Sequence, residues 1–126
     1  MALRCLIVDD NQHFLVAARE LLEREGIDVV GTASTTGEAI ERGALLRPDV
    51  TLVDIDLGAD SGFDTARQLA SSVILISTYA ERDFADLIEA SPAIGFVSKS
   101  ELSAQAILAL LESEPDSDAS TPPGTR

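Results

Sequence analysis

The chain has 126 residues, 45% of them hydrophobic, with one cysteine and no tryptophan. That length suits one domain burying roughly two-thirds of its unfolded surface, and a single cysteine excludes an internal disulfide and any zinc site built from several cysteines. A net charge of −13, from 9 basic and 22 acidic residues, opposes binding to a nucleic-acid backbone and points to protein or cation partners.

Residues 3–8 form a short apolar run that reads as a first strand, and Cys5 within it reads as a small buried hydrophobe. Phe14, Ala17, Ala18, Leu21 and Leu22 then recur at spacings of three and four, which predicts a helix with one buried face. Gly26 should end it. Residues 28–33 read as a second strand. Thr35, with Glu38 three residues on, has capping-box spacing and opens a second helix that closes before Pro48. Further strands are expected over 50–53, 73–76 and 94–97. Helices are expected over 61–70, over 81–90 with Phe84, Leu87 and Ile88 on one side, and over 101–111. Strands apolar throughout, alternating with amphipathic helices, imply an α/β fold: a doubly wound, five-stranded parallel sheet covered on both faces by five helices.

The composition changes at Ser113. Residues 113–126 hold three prolines and no large apolar residue, so a disordered C-terminal tail is expected after a folded body over 1–112. No basic segment followed by an apolar one opens the chain, and no apolar run could span a bilayer; a cytosolic location without membrane contact is expected.

In a doubly wound sheet the ligand site lies at the carboxyl ends of the strands. The residues there are Asp9 and Asp10, Asp54, Ser77, and Lys99, the one lysine in the chain. Each has an ordinary reading alone: a turn or helix cap for the acidic pair, a solvated strand end for Asp54, a structural hydroxyl for Ser77, a surface charge for Lys99. Three carboxylates on one rim persist mainly when a hard cation offsets their repulsion. His13, just after the acidic pair, reads as a solvated surface residue.

The stretches "LIVDD" (6–10), "VTLVDIDLG" (50–58), Gly62, "VILIS" (73–77) and "GFVSK" (95–99) together resemble a response-regulator receiver domain, the phosphoacceptor module of two-component signalling. The resemblance covers residues 3–112 and implies a flavodoxin-like fold with strand order 2-1-3-4-5. It implies that Asp54 accepts the phosphoryl group. Mg²⁺ would be held by the side chains of Asp10 and Asp54, the backbone carbonyl of Asp56, and Asp9 through water. Ser77 would be the switch hydroxyl, Phe96 the aromatic that moves behind it, and Lys99 the partner of the phosphoryl oxygens. A one-residue slip would exchange Ser77 with Thr78; the interval of 22 residues to Lys99 favours Ser77. Asp56 and Tyr79 resemble the positions that tune hydrolysis of the acyl phosphate in that family.

The resemblance also implies partners: a sensor histidine kinase or phosphotransfer protein, a target protein of unknown identity, and a second phosphorylated copy as a homodimer. Direct binding to nucleic acid is not expected. Nor is enzymatic turnover beyond the domain's own phosphorylation and dephosphorylation. The serine after Lys99 resembles receivers that elsewhere carry helix-turn-helix outputs. Gly58 stands where the family commonly has proline, so its loop is expected to be more mobile than usual, and the short interval from Asp54 to Ser77 implies a trimmed third helix.

Three other readings compete. "DID" at 54–56 also matches haloacid-dehalogenase-like phosphohydrolases, with Asp54 as nucleophile and Asp56 as acid/base, although such enzymes usually carry the motif on the first strand. A binding module that kept the fold without the chemistry is a second. A receiver fragment of a DNA-binding regulator is the third.

Overall fold

The computed structural model describes residues 2–58 and 60–113; the expected tail lies almost wholly outside them. β1 (Arg4–Val8), β2 (Asp28–Ala33), β3 (Val50–Asp54), β6 (Ser72–Ser77) and β7 (Gly95–Ser98) make one parallel sheet, in the spatial order β2-β1-β3-β6-β7. This is the expected 2-1-3-4-5 order. A small antiparallel pair, β4 (Asp56–Leu57) and β5 (Asp60–Ser61), stands apart from it and was not anticipated.

Both faces of the sheet are covered, which is why its strands are apolar at successive positions. Cys5, Ile7, Leu52, Ile74 and Ile76 point to one face, where α1 (Gln12–Arg24) and α5 (Ala104–Glu112) supply Leu15, Leu22 and Ile107. Leu6, Val8, Val53, Val73 and Leu75 point to the other, against Ala39 of α2 (Thr36–Leu46) and Phe63 and Ala66 of α3 (Gly62–Arg67), with Ile88 of α4 (Ala85–Ala90) packed at the edge. Burial raises the Cys5 thiol to about 12, so it stays protonated and inert.

The helix ends follow local chemistry. Gly26 takes φ +94, its N–H donates to the Glu23 carbonyl, and the Ile27 N–H donates to that of Leu22, which is the Schellman closure of α1. The Thr35 hydroxyl accepts from the Glu38 N–H at 3.1 Å, but Glu38 answers to the Ser34 N–H at 2.9 Å rather than to Thr35 itself. The exposed Glu38 carboxyl is held below its ordinary range by those Ser34 contacts.

Three expected helices need correction. The third stops at Arg67. The fourth is broken: a 3-10 turn (Glu81–Asp83) precedes α4, Phe84 leaves helical geometry with φ −129, and Leu87 is 53% exposed rather than packed. Phe84 instead meets the rings of Tyr79 and Phe63, with centroids 6.1 and 6.4 Å away. The fifth begins three residues late, after a 3-10 turn at Lys99–Glu101, because Ser103 is its N-cap and accepts from the Ala106 N–H at 3.0 Å. Among the described residues no helix is long and apolar enough to cross a membrane.

Candidate functional site

Parallel strands end on the same edge of a sheet, so four of them deliver polar groups to one rim. Asp9 and Asp10 follow β1, Asp54 ends β3, Ser77 ends β6, and Lys99 follows β7. Since β1 and β3 are neighbours, Asp9 and Asp54 are brought together. One carboxylate oxygen from each of Asp9, Asp10 and Asp54 lies within 4.8 Å of the others. Asp9 is fully buried, Asp54 is 6% exposed, and Asp10 is exposed at the mouth.

Asp9 Oδ1 accepts from the Asn11 N–H at 2.8 Å. Asp9 Oδ2 faces the Lys99 ammonium at 2.5 Å, yet it receives no hydrogen bond of normal geometry. Asp54 Oδ1 accepts from the Asp56 N–H at 3.2 Å and Oδ2 from Lys99 Nζ at 3.3 Å. Burial, and then the charge of Asp9, push the Asp54 carboxyl up to about 6; the Asp56 N–H and Lys99 only partly counter this. Burial works against the Lys99 ammonium, but its contacts with Asp9 and Asp54 outweigh that and raise its pKa.

One ammonium cannot neutralise three carboxylates. All the donors are oxygens, one buried oxygen lacks a hydrogen bond, and one acid opens to solvent. That set fits a hard divalent cation. The loop after β3 is folded tightly against it. A Cβ on Gly62 would lie 2.1 Å from the Asp54 carbonyl oxygen, so only glycine can pass there. Gly58 takes φ +70, and a Cβ on it would stand 3.2 Å from Asp10 Oδ2.

The other expected residues divide. The Asp56 carboxylate is exposed and accepts from the Gly58 N–H at 3.3 Å within its own turn, outside the group of three acids. Ser77 is 3% exposed and its hydroxyl accepts from the Tyr79 N–H at 3.0 Å, whereas Thr78 lies beyond the strand and is exposed. Phe96 is half-buried on β7 and lines a cavity of about 460 Å³ with Glu81, Ala106 and Leu110. Tyr79 is 61% exposed, and His13 is exposed. Two residues of the site escaped sequence reading. Asn11 caps α1, accepting from the Phe14 N–H at 3.1 Å, and the Phe14 ring lies 4.4 Å from Lys99 Nζ. Phe14 read only as one member of a buried helical face.

A rim of three acids and a lysine on this sheet order defines a class. The chain belongs to the response regulator receiver domain family, whose pattern matches residues 5–112. A putative transcriptional regulator of Pseudomonas aeruginosa is 32% identical over 117 residues, covering 84% of this chain and 56% of that protein. The DNA-binding transcriptional activator EvgA of Escherichia coli K12 is 27% identical over 104 residues, covering 79% and 51%. The chain thus spans about half the length of these curated relatives. A two-component response regulator of the LuxR family from Aurantimonas sp. SI85-9A1 superimposes with a TM-score of 0.80 at 29% identity, over 92% of each chain.

Proposed function

We propose that this chain is a working phosphoacceptor: Asp54 takes a phosphoryl group from a histidine kinase, a phosphotransfer protein or a small acyl phosphate, in the cytosol. The observation that carries this reading is the Asp9–Asp10–Asp54 group with Lys99 at 3.3 Å from Asp54 Oδ2.

In the transfer, an Asp54 carboxylate oxygen bonds to phosphorus as the donor's bond to phosphorus breaks. The leaving group keeps that electron pair. Charge in a loose phosphoryl transition state sits on the peripheral oxygens, so positioning and neutralisation do most of the work. Asp54 near 6 is ionised at neutral pH yet more basic than an ordinary aspartate, which suits a nucleophile. Lys99 supplies one positive charge. Asp10 and Asp54, with Asp9 behind them, would hold Mg²⁺, which supplies the further neutralisation when bound. The reaction is self-modification, and no external substrate is turned over. Asp56 and Tyr79, both exposed near the strand ends, would govern how readily water attacks the acyl phosphate.

The new phosphate adds charge and strong acceptors. The Ser77 hydroxyl, now held by the Tyr79 N–H, can exchange that contact for the phosphoryl group, and Phe96 beside the cavity would follow it. A target protein or a second copy would read the altered face. The hydrolase alternative is disfavoured because the Asp56 carboxylate serves its own turn and not the acid cluster. Acetyl phosphate with Mg²⁺ should add one phosphoryl mass to the intact protein and none to Asp54→Asn; equal labelling of both would contradict the reading.

A further inference from the structure

We propose that Phe14 is a positioning residue for Lys99, fixing the ammonium over the acid cluster through its ring face. The inference rests on the phosphoacceptor reading for its consequence but not for its geometry. Four contacts close a loop. The Asn11 N–H donates to Asp9 Oδ1, the Phe14 N–H donates to Asn11 Oδ1, the Phe14 ring lies 4.4 Å from Lys99 Nζ, and Lys99 Nζ returns to Asp9 Oδ2. The start of α1 thus ties one buried acid to the lysine by two routes, one ionic and one aromatic.

An ammonium on a four-carbon stem is otherwise free to point outward. It pairs with Asp9 Oδ2 at 2.5 Å and more loosely with Asp54 Oδ2 at 3.3 Å. Both of these supports are carboxylates of the acid cluster itself. The negative face of an aromatic ring attracts a cation within about 6 Å and gains strength where water is excluded. The Lys99 side chain is only 13% exposed. Phe14 also packs against the core shared by α1 and α5, so the ring itself is anchored. Phe14 therefore supplies an uncharged third support that leaves the ammonium's protons available to the acids and to an incoming phosphoryl group.

Lys99 is the one lysine of the chain, so isotopically labelled lysine gives a single set of side-chain NMR signals. In metal-free protein the Lys99 ε-methylene protons should be shifted upfield by the Phe14 ring current. Phe14→Leu should abolish that shift, and Phe14→Tyr should keep it. With acetyl phosphate and Mg²⁺, Phe14→Leu should slow labelling by about three- to tenfold, with Phe14→Tyr near wild type. On a Lys99→Met background, Phe14→Leu should cause no further loss. An unshifted ε-methylene signal in the wild type overturns the proposal even if the leucine variant does not fold. So does an equal slowing with and without Lys99, which would make Phe14 a packing residue only. If the wild type takes up no phosphoryl group, the phosphoacceptor reading falls, and the NMR shift still decides whether Phe14 holds the lysine.

Discussion

Lys99 Nζ lies closer to Asp9 than to the expected phosphoacceptor: 2.5 Å from Asp9 Oδ2 against 3.3 Å from Asp54 Oδ2. The lysine that would pair with the phosphoryl oxygens is, before that event, the counter-charge of a fully buried acid. Two roles therefore share one side chain.

Removing it should show both. Lys99→Ala leaves Asp9 buried without its cation, and breaking a buried pair costs about 3 kcal/mol in metal-free buffer. Phosphorylation should slow, and the phosphorylated variant should fail to reorganise around Ser77 and Phe96. Lys99→Arg should rescue only in part, because a planar fork does not fit the place of a compact ammonium. Urea melts and amide NMR spectra before and after phosphorylation measure the two effects; unchanged stability would show that Asp9 does not depend on Lys99.

Asp54 gives the metal-free protein an unusual pH dependence. Its folded carboxyl is raised from 3.8 to about 6, first by burial and then by Asp9. The folded state therefore holds a proton that the unfolded state has released. Stability contributed by this group is present below about 4 and is lost as pH rises through about 6, by up to about 3 kcal/mol. Asp54→Asn should remove that slope and melt higher than wild type at pH 7.5 without metal. Denaturation curves of both proteins at pH 4.5 and 7.5 are the check. A wild type that gains on the variant as pH rises would reverse the sign.

Asp10 is the exposed member of the acid group, so changing it should affect the cation more than the fold. Asp10→Asn should weaken Mg²⁺ binding several-fold in a calorimetric titration, because a direct oxygen ligand loses its charge. Its melting temperature without metal should stay level or rise. Equal Mg²⁺ affinity in the two proteins would remove Asp10 from the ligand set.

Gly62 and Gly37 make a contrasting pair. At Gly62 an added Cβ would lie 2.1 Å from the Asp54 carbonyl oxygen, which is backbone and cannot step aside. Gly62→Ala should cost about 3 kcal/mol and reduce phosphorylation, since the displaced atoms belong to Asp54 and Ile55. At Gly37, in the first turn of α2, the nearest atom is 4.0 Å away. Gly37→Ala should be neutral or stabilise by up to about 1 kcal/mol. Melting temperatures of both variants decide it, and similar values would mean that the loop after β3 can relax.

The sheet was legible because its central strands are buried on both faces, so β1, β3 and β6 are aliphatic almost throughout and place the polar residues of the site at or just past their carboxyl ends. Strand ends in turn located the acids and Lys99. The helices on the far side were less legible. Phe84, Leu87 and Ile88 fit a continuous helix, but Phe84 gains two aromatic neighbours by leaving it. The start of α5 depends on Ser103, and also on Glu25, whose carboxylate accepts from the Ala104 N–H at 2.6 Å from a distant part of the chain. Local spacing carries no trace of such a partner. The Phe14–Lys99 contact escaped for the same reason: it joins the first helix to the turn after the last strand, and each residue alone has an ordinary reading.

Localising the phosphoryl group tests the central claim most directly. After reaction with acetyl phosphate and Mg²⁺, borohydride reduces an aspartyl phosphate to homoserine with loss of phosphate, and leaves free aspartates unchanged. Fragment masses should then place one homoserine at position 54, with Asp9, Asp10 and Asp56 intact. Homoserine at another aspartate, or a phosphoryl group retained on His13, would contradict the assignment of Asp54 as the phosphoacceptor.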